Sequence, residues 1–116
     1  MQSPFILGNL FEIESCQDTL PWQPFRDGVE IYPLYSDGEF GSSAALLRYQ
    51  PGARIPRHEH QGFEHIIILS GAQSDFYGEY NAGTLVINPP SSNHQVVSQG
   101  GCIVLIIWEK PVHLWQ

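Results

Sequence analysis

The stretch Gly52-Ala53-Arg54-Ile55-Pro56-Arg57-His58-Glu59-His60-Gln61-Gly62-Phe63-Glu64-His65-Ile66-Ile67-Ile68-Leu69-Ser70-Gly71 decides how the rest of the chain is read. Within it, Ile55–His60 and Glu64–Ser70 are short β-prone runs bounded by turn signals, and both are too short for helices. Side chains two apart on a strand project from one face, so His58 and His60 point the same way. Gln61-Gly62-Phe63 holds a glycine that permits a tight turn, which brings the Glu64 carboxylate back alongside the two imidazoles. Neighbouring positions alternate, so Glu59 and His65 are expected to turn away from this group.

Outward from this stretch, Ala44–Gln50, Gln73–Tyr77, Thr84–Asn88, His94–Val97 and Cys102–Trp108 have the same β-prone character. Turn signals separate them, among them Asp27-Gly28, Pro51-Gly52, Gly71, Asn81-Ala82-Gly83, Pro89-Pro90 and Gly100-Gly101. Short strands at this spacing predict an all-β antiparallel sandwich or small barrel, with at most a turn of helix in the first fifteen or so residues. His94 opens a later strand. With His58, His60 and Glu64 it completes three imidazoles and one carboxylate, a donor set suited to one divalent transition metal: Zn, Fe, Mn, Ni or Cu.

Ile66–Leu69 and Ile103–Ile107 are apolar at every position, where a strand with one wet face would alternate. Something must cover their second face. A homodimer partner is the economical expectation, and the apolar segment 5–35 of the same chain is the alternative.

The composition bounds the function classes. In 116 residues, 42% are hydrophobic and 15% charged, enough to build one core and too apolar for disorder. Five Lys and Arg stand against twelve Asp and Glu, a formal charge of -7, so nucleic acid and anionic membranes are poor partners. The longest apolar run, Cys102–Trp108, is far short of the roughly 18–20 residues that cross a bilayer. No Lys or Arg precedes Arg26, so no secretory leader is expected and the cytoplasm is the default location. In that compartment Cys16 and Cys102 are expected to stay free.

The spacings also match a known pattern. Gly52, five residues, His58-Glu59-His60, three residues, Glu64, six residues and Gly71 resemble the first cupin motif throughout. Gly83, five residues, Pro89-Pro90-Ser91, two residues and His94 resemble the second. They differ in Ser91, where the motif usually has Gly, and more loosely in Ser98, where Asn is often found. The resemblance implies a double-stranded β-helix, the cupin jelly-roll barrel, with a divalent metal held inside by His58, His60, Glu64 and His94. It implies a single cupin domain over residues 1–116, with 1–43 as N-terminal strands or arm and 44–110 as the motif-bearing barrel core.

A narrower likeness runs through Trp22-Gln23-Pro24-Phe25, Tyr49-Gln50-Pro51-Gly52, Ser74-Asp75-Phe76-Tyr77-Gly78-Glu79-Tyr80 and Asn88-Pro89-Pro90. These are similar to the cupin domain of ChrR-type zinc anti-sigma factors, a sensor module joined in that group to an N-terminal zinc domain that grips the sigma factor. The sequence in hand resembles only the cupin part, so the expectation is a small metal-binding cupin of sensor or regulatory type, able to take a small organic ligand. The same cluster includes iron-dependent dioxygenases of small diketones, which supply the alternative expectation, and no catalytic residue is assigned. Arg48, Arg54 and Arg57 are weighed as groups that steer an anion and are expected instead at the surface or an interface. Tyr49, Phe63, Phe76, Tyr77 and Trp108 are expected mostly in the core, and His113 in solvent.

Overall fold

Three strands explain why so many positions are apolar on both sides. β3 (Ser43–Tyr49), β5 (Glu64–Asp75) and β9 (Cys102–Trp108) lie side by side in the middle of one antiparallel sheet, with β9 between the other two. Their inward side chains, including Ala45, Leu47, Ile66, Ile68, Val104 and Ile106, form the main core. Their outward side chains Leu46 and Ile103 are equally buried, packed with Ile13 and flanked by Leu7, Leu20, Trp22 and Tyr32. The N-terminal segment therefore covers the second face around Leu46 and Ile103, as one of the two expectations had it. Each fully buried Leu or Ile contributes roughly 1.5–3 kcal/mol, so this outer layer is a substantial second core.

The computed structural model describes residues 3–114, with side chains through Pro111. A short 3-10 turn (Leu10–Glu12), the single-turn helix α1 (Ile13–Cys16) and a second 3-10 turn (Gln17–Thr19) precede the sheet, extending slightly past the one helical turn expected. The remaining strands are β1 (Gln23–Arg26), β2 (Val29–Ser36), β4 (Ala53–His60), β6 (Gly78–Asn81), β7 (Leu85–Asn88), β8 (Asn93–Ser98) and β10 (Val112–Leu114). Hydrogen bonding runs β1-β2-β3-β9-β5-β8-β4-β10, with β6 and β7 added on β5. This is an all-β curled sheet of the cupin type, with its two ends, β1 and β10, left as a seam.

The structure corrects one strand boundary. Gly71 was expected to end a strand, and Glu64–Ser70 and Gln73–Tyr77 to be separate; they are one strand, β5, with a register shift between Ile68 and Ser70. At φ 77 Gly71 bends the strand rather than ending it, and an added Cβ there would collide with the Gly101 carbonyl oxygen and the Cys102 backbone. The bend lets β5 serve both halves of the barrel: its first residues pair with β7 and β9, its last with β6 and β8. No helix of the described residues is long and apolar enough to cross a membrane. Cys16 and Cys102 are free, and burial raises the Cys102 thiol to about 11, which makes it unreactive.

Candidate metal centre

β4 delivers His58 and His60, β5 delivers Glu64 from the far side of the Gln61–Phe63 turn, and β8 delivers His94 directly across from His58. The strand alternation worked as the spacing predicts: His58, His60 and Glu64 are buried, whereas Glu59 and His65 are only partly so. His65 pairs across β5 with Ile87 and Ile107, and its alternation places it on the outer face. His113 falls on residues whose side chains lie outside those described.

The three imidazoles stack edge to face around a common point, with ring centres 4.7 to 5.1 Å apart. One donor atom from each of His58, His60, Glu64 and His94 lies within 4.8 Å of the others. Four donors gathered this closely could hold one metal ion at ordinary bond lengths of about 2.0–2.2 Å after a modest inward movement.

Every imidazole is held from behind. His58 Nδ1 meets the Pro56 carbonyl at 2.9 Å, His60 Nδ1 meets Ser92 Oγ at 2.8 Å, and His94 Nδ1 meets Asp75 Oδ2 at 3.1 Å. Ser92 donates its own proton to the Pro89 carbonyl, so its oxygen accepts from His60. Each Nδ1 then carries the hydrogen and each Nε2 presents a lone pair to the centre. His60 Nε2 and His94 Nε2 are buried with no hydrogen-bond partner. His60 Nε2 stands 3.0 Å from Glu64 Oε1, close but out of alignment for a hydrogen bond. Two orphaned buried nitrogens are costly unless something binds them, and a cation does so without a proton. The donor set therefore fits a divalent transition metal.

Glu64 is oriented too: Asn88 Nδ2 donates to Oε1 at 3.0 Å and Trp108 Nε1 to Oε2 at 2.9 Å. Burial alone would raise its carboxyl, but the His60 contact and the charges of His60, His94 and His58 outweigh that and hold it below its ordinary value of 4.5. His58 is pushed below its ordinary 6.5, chiefly by burial and also by its neighbours His94 and His60. Both shifts favour the deprotonated forms that bind metal. The Asp75 carboxylate, 4% exposed, also accepts from the Tyr77 backbone N–H and the Tyr80 hydroxyl, each at 2.8 Å. Burial and this carboxylate push the Tyr80 phenol up to about 12. Asp75, Ser92 and Asn88 were not singled out as supports; the sequence signal was that Asp75 and Asn88 lie in the stretches similar to the ChrR-type cupin domain and Ser92 lies between Ser91 and His94.

Ser91, where the motif usually has glycine, adopts φ 70. With Pro90 before it and the Ser92 N–H bonded to the Pro89 carbonyl, Pro89–Ser92 has the pattern of a type II turn, whose third position favours glycine. The departure leaves the turn intact and places a strained serine next to the residue that holds His60.

Beside the four residues a cavity of about 310 Å³ opens into the barrel, with His58 and Glu64 in its wall. Tyr49 and Trp108 line it, but Phe63, Phe76 and Tyr77 are exposed at 44%, 92% and 77%, which corrects the expectation that these aromatics are mostly core. Leu47, Ile55, Ile66, Val96 and Ile106 make its interior wall apolar, the buried Gln73 amide donates weakly to the Tyr49 hydroxyl at 3.4 Å, and Phe25, Arg26, Ser43 and Pro111 complete the lining. Burial, with Cys102 and Glu64 nearby, holds that phenol far above its usual range, so it remains protonated.

Comparison with known proteins agrees with this geometry. Residues 13–112 match the family described as the ChrR cupin-like domain. Over 93 residues the chain is 31% identical to the anti-sigma-E factor ChrR of Cereibacter sphaeroides, covering 78% of this chain and 43% of that protein. The crystal structure of Rhodobacter sphaeroides SigE in complex with the anti-sigma ChrR superposes at a TM-score of 0.68 with 30% identity, over 77% of this chain and 48% of that one. An acetylacetone dioxygenase from Acinetobacter johnsonii superposes at 0.81 over all of this chain and 80% of its own, but at 14% identity this shows shared fold alone. The chain thus spans under half the length of the curated relative it matches. A family match over most of the chain, on a cupin barrel with the motif residues gathered at one point, leads to one conclusion: this chain belongs to the ChrR cupin-like domain family.

Proposed function

We propose that this chain is a metal-binding cupin of sensor or regulatory type, in which His58, His60, Glu64 and His94 hold one divalent transition metal beside a cavity for a small organic ligand. The observation that carries it is the pair of buried, unpartnered Nε2 atoms facing Glu64 while each Nδ1 is held from behind. A bound metal supplies Lewis acidity to an oxygen donor of the ligand. The chain's own part is to fix the tautomers, keep Glu64 ionised and surround the site with apolar wall. Zinc titrated calorimetrically into metal-free protein should bind at one site per chain and raise the melting temperature; absence of both effects with Zn, Fe, Mn and Ni contradicts the reading.

The second reading is an iron-dependent dioxygenase of a small diketone, favoured by the apolar cavity that reaches His58 and Glu64. Oxygen uptake by iron-loaded protein over a panel of diketones separates the two. A cytoplasmic location and the whole chain acting as one unit belong to this proposal, supported by the acidic composition and the free thiols. Self-association belongs to it as well: Leu85 and Ile87 of β7 are 55% and 50% exposed. Sedimentation over a range of concentrations checks it, and a constant monomer mass sets it aside. The sigma-factor partner of ChrR is not carried over, because the matched region is under half of that protein.

A further inference from the structure

Arg26 has no counterpart among the groups the metal reading uses. It ends β1 opposite Val29, which in turn pairs with Tyr49, and residues opposed across antiparallel strands share a face. Val29 and Tyr49 both belong to the inner core, so Arg26 sits on the inner face of the sheet at the seam. It lines the cavity together with Phe25 and Pro111, which are exposed, while the metal-site residues His58 and Glu64 in the same wall are buried. Arg26 therefore belongs to the mouth and the four metal-site residues to the interior.

The charge of Arg26 is not spoken for. Among the described residues it makes no ion pair or hydrogen bond, although the chain carries twelve acidic residues against five basic ones. Arg48 shows the usual fate of such a residue here: it is paired with Glu30 at 2.8 Å and Asp18 at 3.1 Å, and lies over the Trp22 ring. Arg26 also borders an outer cleft that Arg54 lines, so two of the five cations flank the approach, with Asp27 the acidic residue beside them. A half-buried guanidinium offers a planar fork of donors matched to a carboxylate.

The space between mouth and metal site is apolar and small. At about 310 Å³ it equals roughly ten water-sized volumes of ~30 Å³, room for a molecule of about ten non-hydrogen atoms. Resting on the metal reading above, we propose that the cavity takes a small monocarboxylate: the acid group on Arg26 at the mouth, a short apolar body against Leu47, Ile55 and Val96, and an oxygen donor at the metal-site end. Arg26 sets specificity for an anion over a neutral ketone.

The test uses zinc-loaded protein, whose metal has no redox chemistry. Acetoacetate, 4-oxopentanoate and 6-oxoheptanoate are each titrated beside the dione in which a methyl replaces the carboxylate oxygen, with binding read by calorimetry. At least one acid should bind about tenfold more tightly than its dione, the usual scale for a hydrogen-bonded charge. Arg26→Met should erase that difference while zinc stoichiometry is unchanged, and Arg26→Lys should keep part of it. Diones that bind as tightly as the acids, an acid preference that survives Arg26→Met, or no acid binding at millimolar concentration each overturn the proposal. Metal titrated first keeps the failures apart: if none of Zn, Fe, Mn and Ni binds, the metal reading falls and this one with it. The wild-type acid-to-dione ratio decides even if a variant folds poorly.

Discussion

The two faces of β3 face opposite problems. Inward, Leu47 and Tyr49 border a cavity; outward, Leu46 is fully buried under Ile13, and Arg48 is fastened to Asp18 and Glu30. Both faces are covered, but the space left on the inner one adjoins the four clustered residues, whereas the cleft on the outer one, beside Gln17, Asp18 and Arg48, does not. The outer face is closed by side-chain packing and ion pairs, whereas the inner face gives up packing contacts beside the four clustered residues. The two layers should therefore respond to different perturbations.

The largest expected effect is on the inner side. His94→Ala should lower zinc affinity about a thousandfold, roughly one quarter of the ~10–16 kcal/mol of a four-ligand zinc site, in a competition titration against a chelator. His65→Ala, one strand position from Glu64 but on the other face, should leave affinity unchanged. Next in size, Leu46→Ala should cost about 3 kcal/mol in urea unfolding, through the cavity it opens beneath the N-terminal segment, with zinc stoichiometry intact. An effect of Leu46→Ala on metal affinity as large as on stability breaks the division between faces.

Acid acts on the inner face through two groups of the same sign. His58 is held below its ordinary 6.5 and Glu64 below its ordinary 4.5, so each favours the folded state when deprotonated. Stability of the metal-free protein is full above about pH 6.5, declines below it as His58 protonates in the unfolded state first, and declines further below about pH 4.5 with Glu64. Urea unfolding across pH 4 to 8 measures this, and a flat profile contradicts it. The smallest effect sharpens the account of the Pro89–Ser92 turn: Ser91→Gly should stabilise by about 0.5–1 kcal/mol, because φ 70 strains serine and not glycine.

Period-two alternation made the clustering of these side chains legible in the sequence: His58 and His60 flank an outward Glu59, and Glu64 returns after a three-residue turn. Its supports were not legible, because Asp75, Ser92 and Asn88 act through contacts across strands, which spacing along one strand does not encode. Gly71 misled for a related reason. Positive φ suits a turn and a bulge equally, and only the neighbouring backbone of Gly101 and Cys102 decides between them. Arg48 and Arg26 show the same limit. Arg48 was weighed for the cavity and lies on the outer face, while Arg26 drew no attention and lies at the mouth, because the Arg26–Val29 pairing that fixes its face is made by the fold. The apolar runs were read correctly as two-sided, and at Leu69, Ile103 and Leu105 the outer cover is the chain's own N-terminal segment.

The central claim, that this buried cluster is a metal site, is tested most directly by elemental mass spectrometry of protein purified without a histidine tag or added metal. The account predicts close to one divalent transition metal per chain, falling to near zero in His94→Ala and unchanged in His65→Ala. Wild-type protein with no bound metal, or equal metal content in both variants, would contradict it.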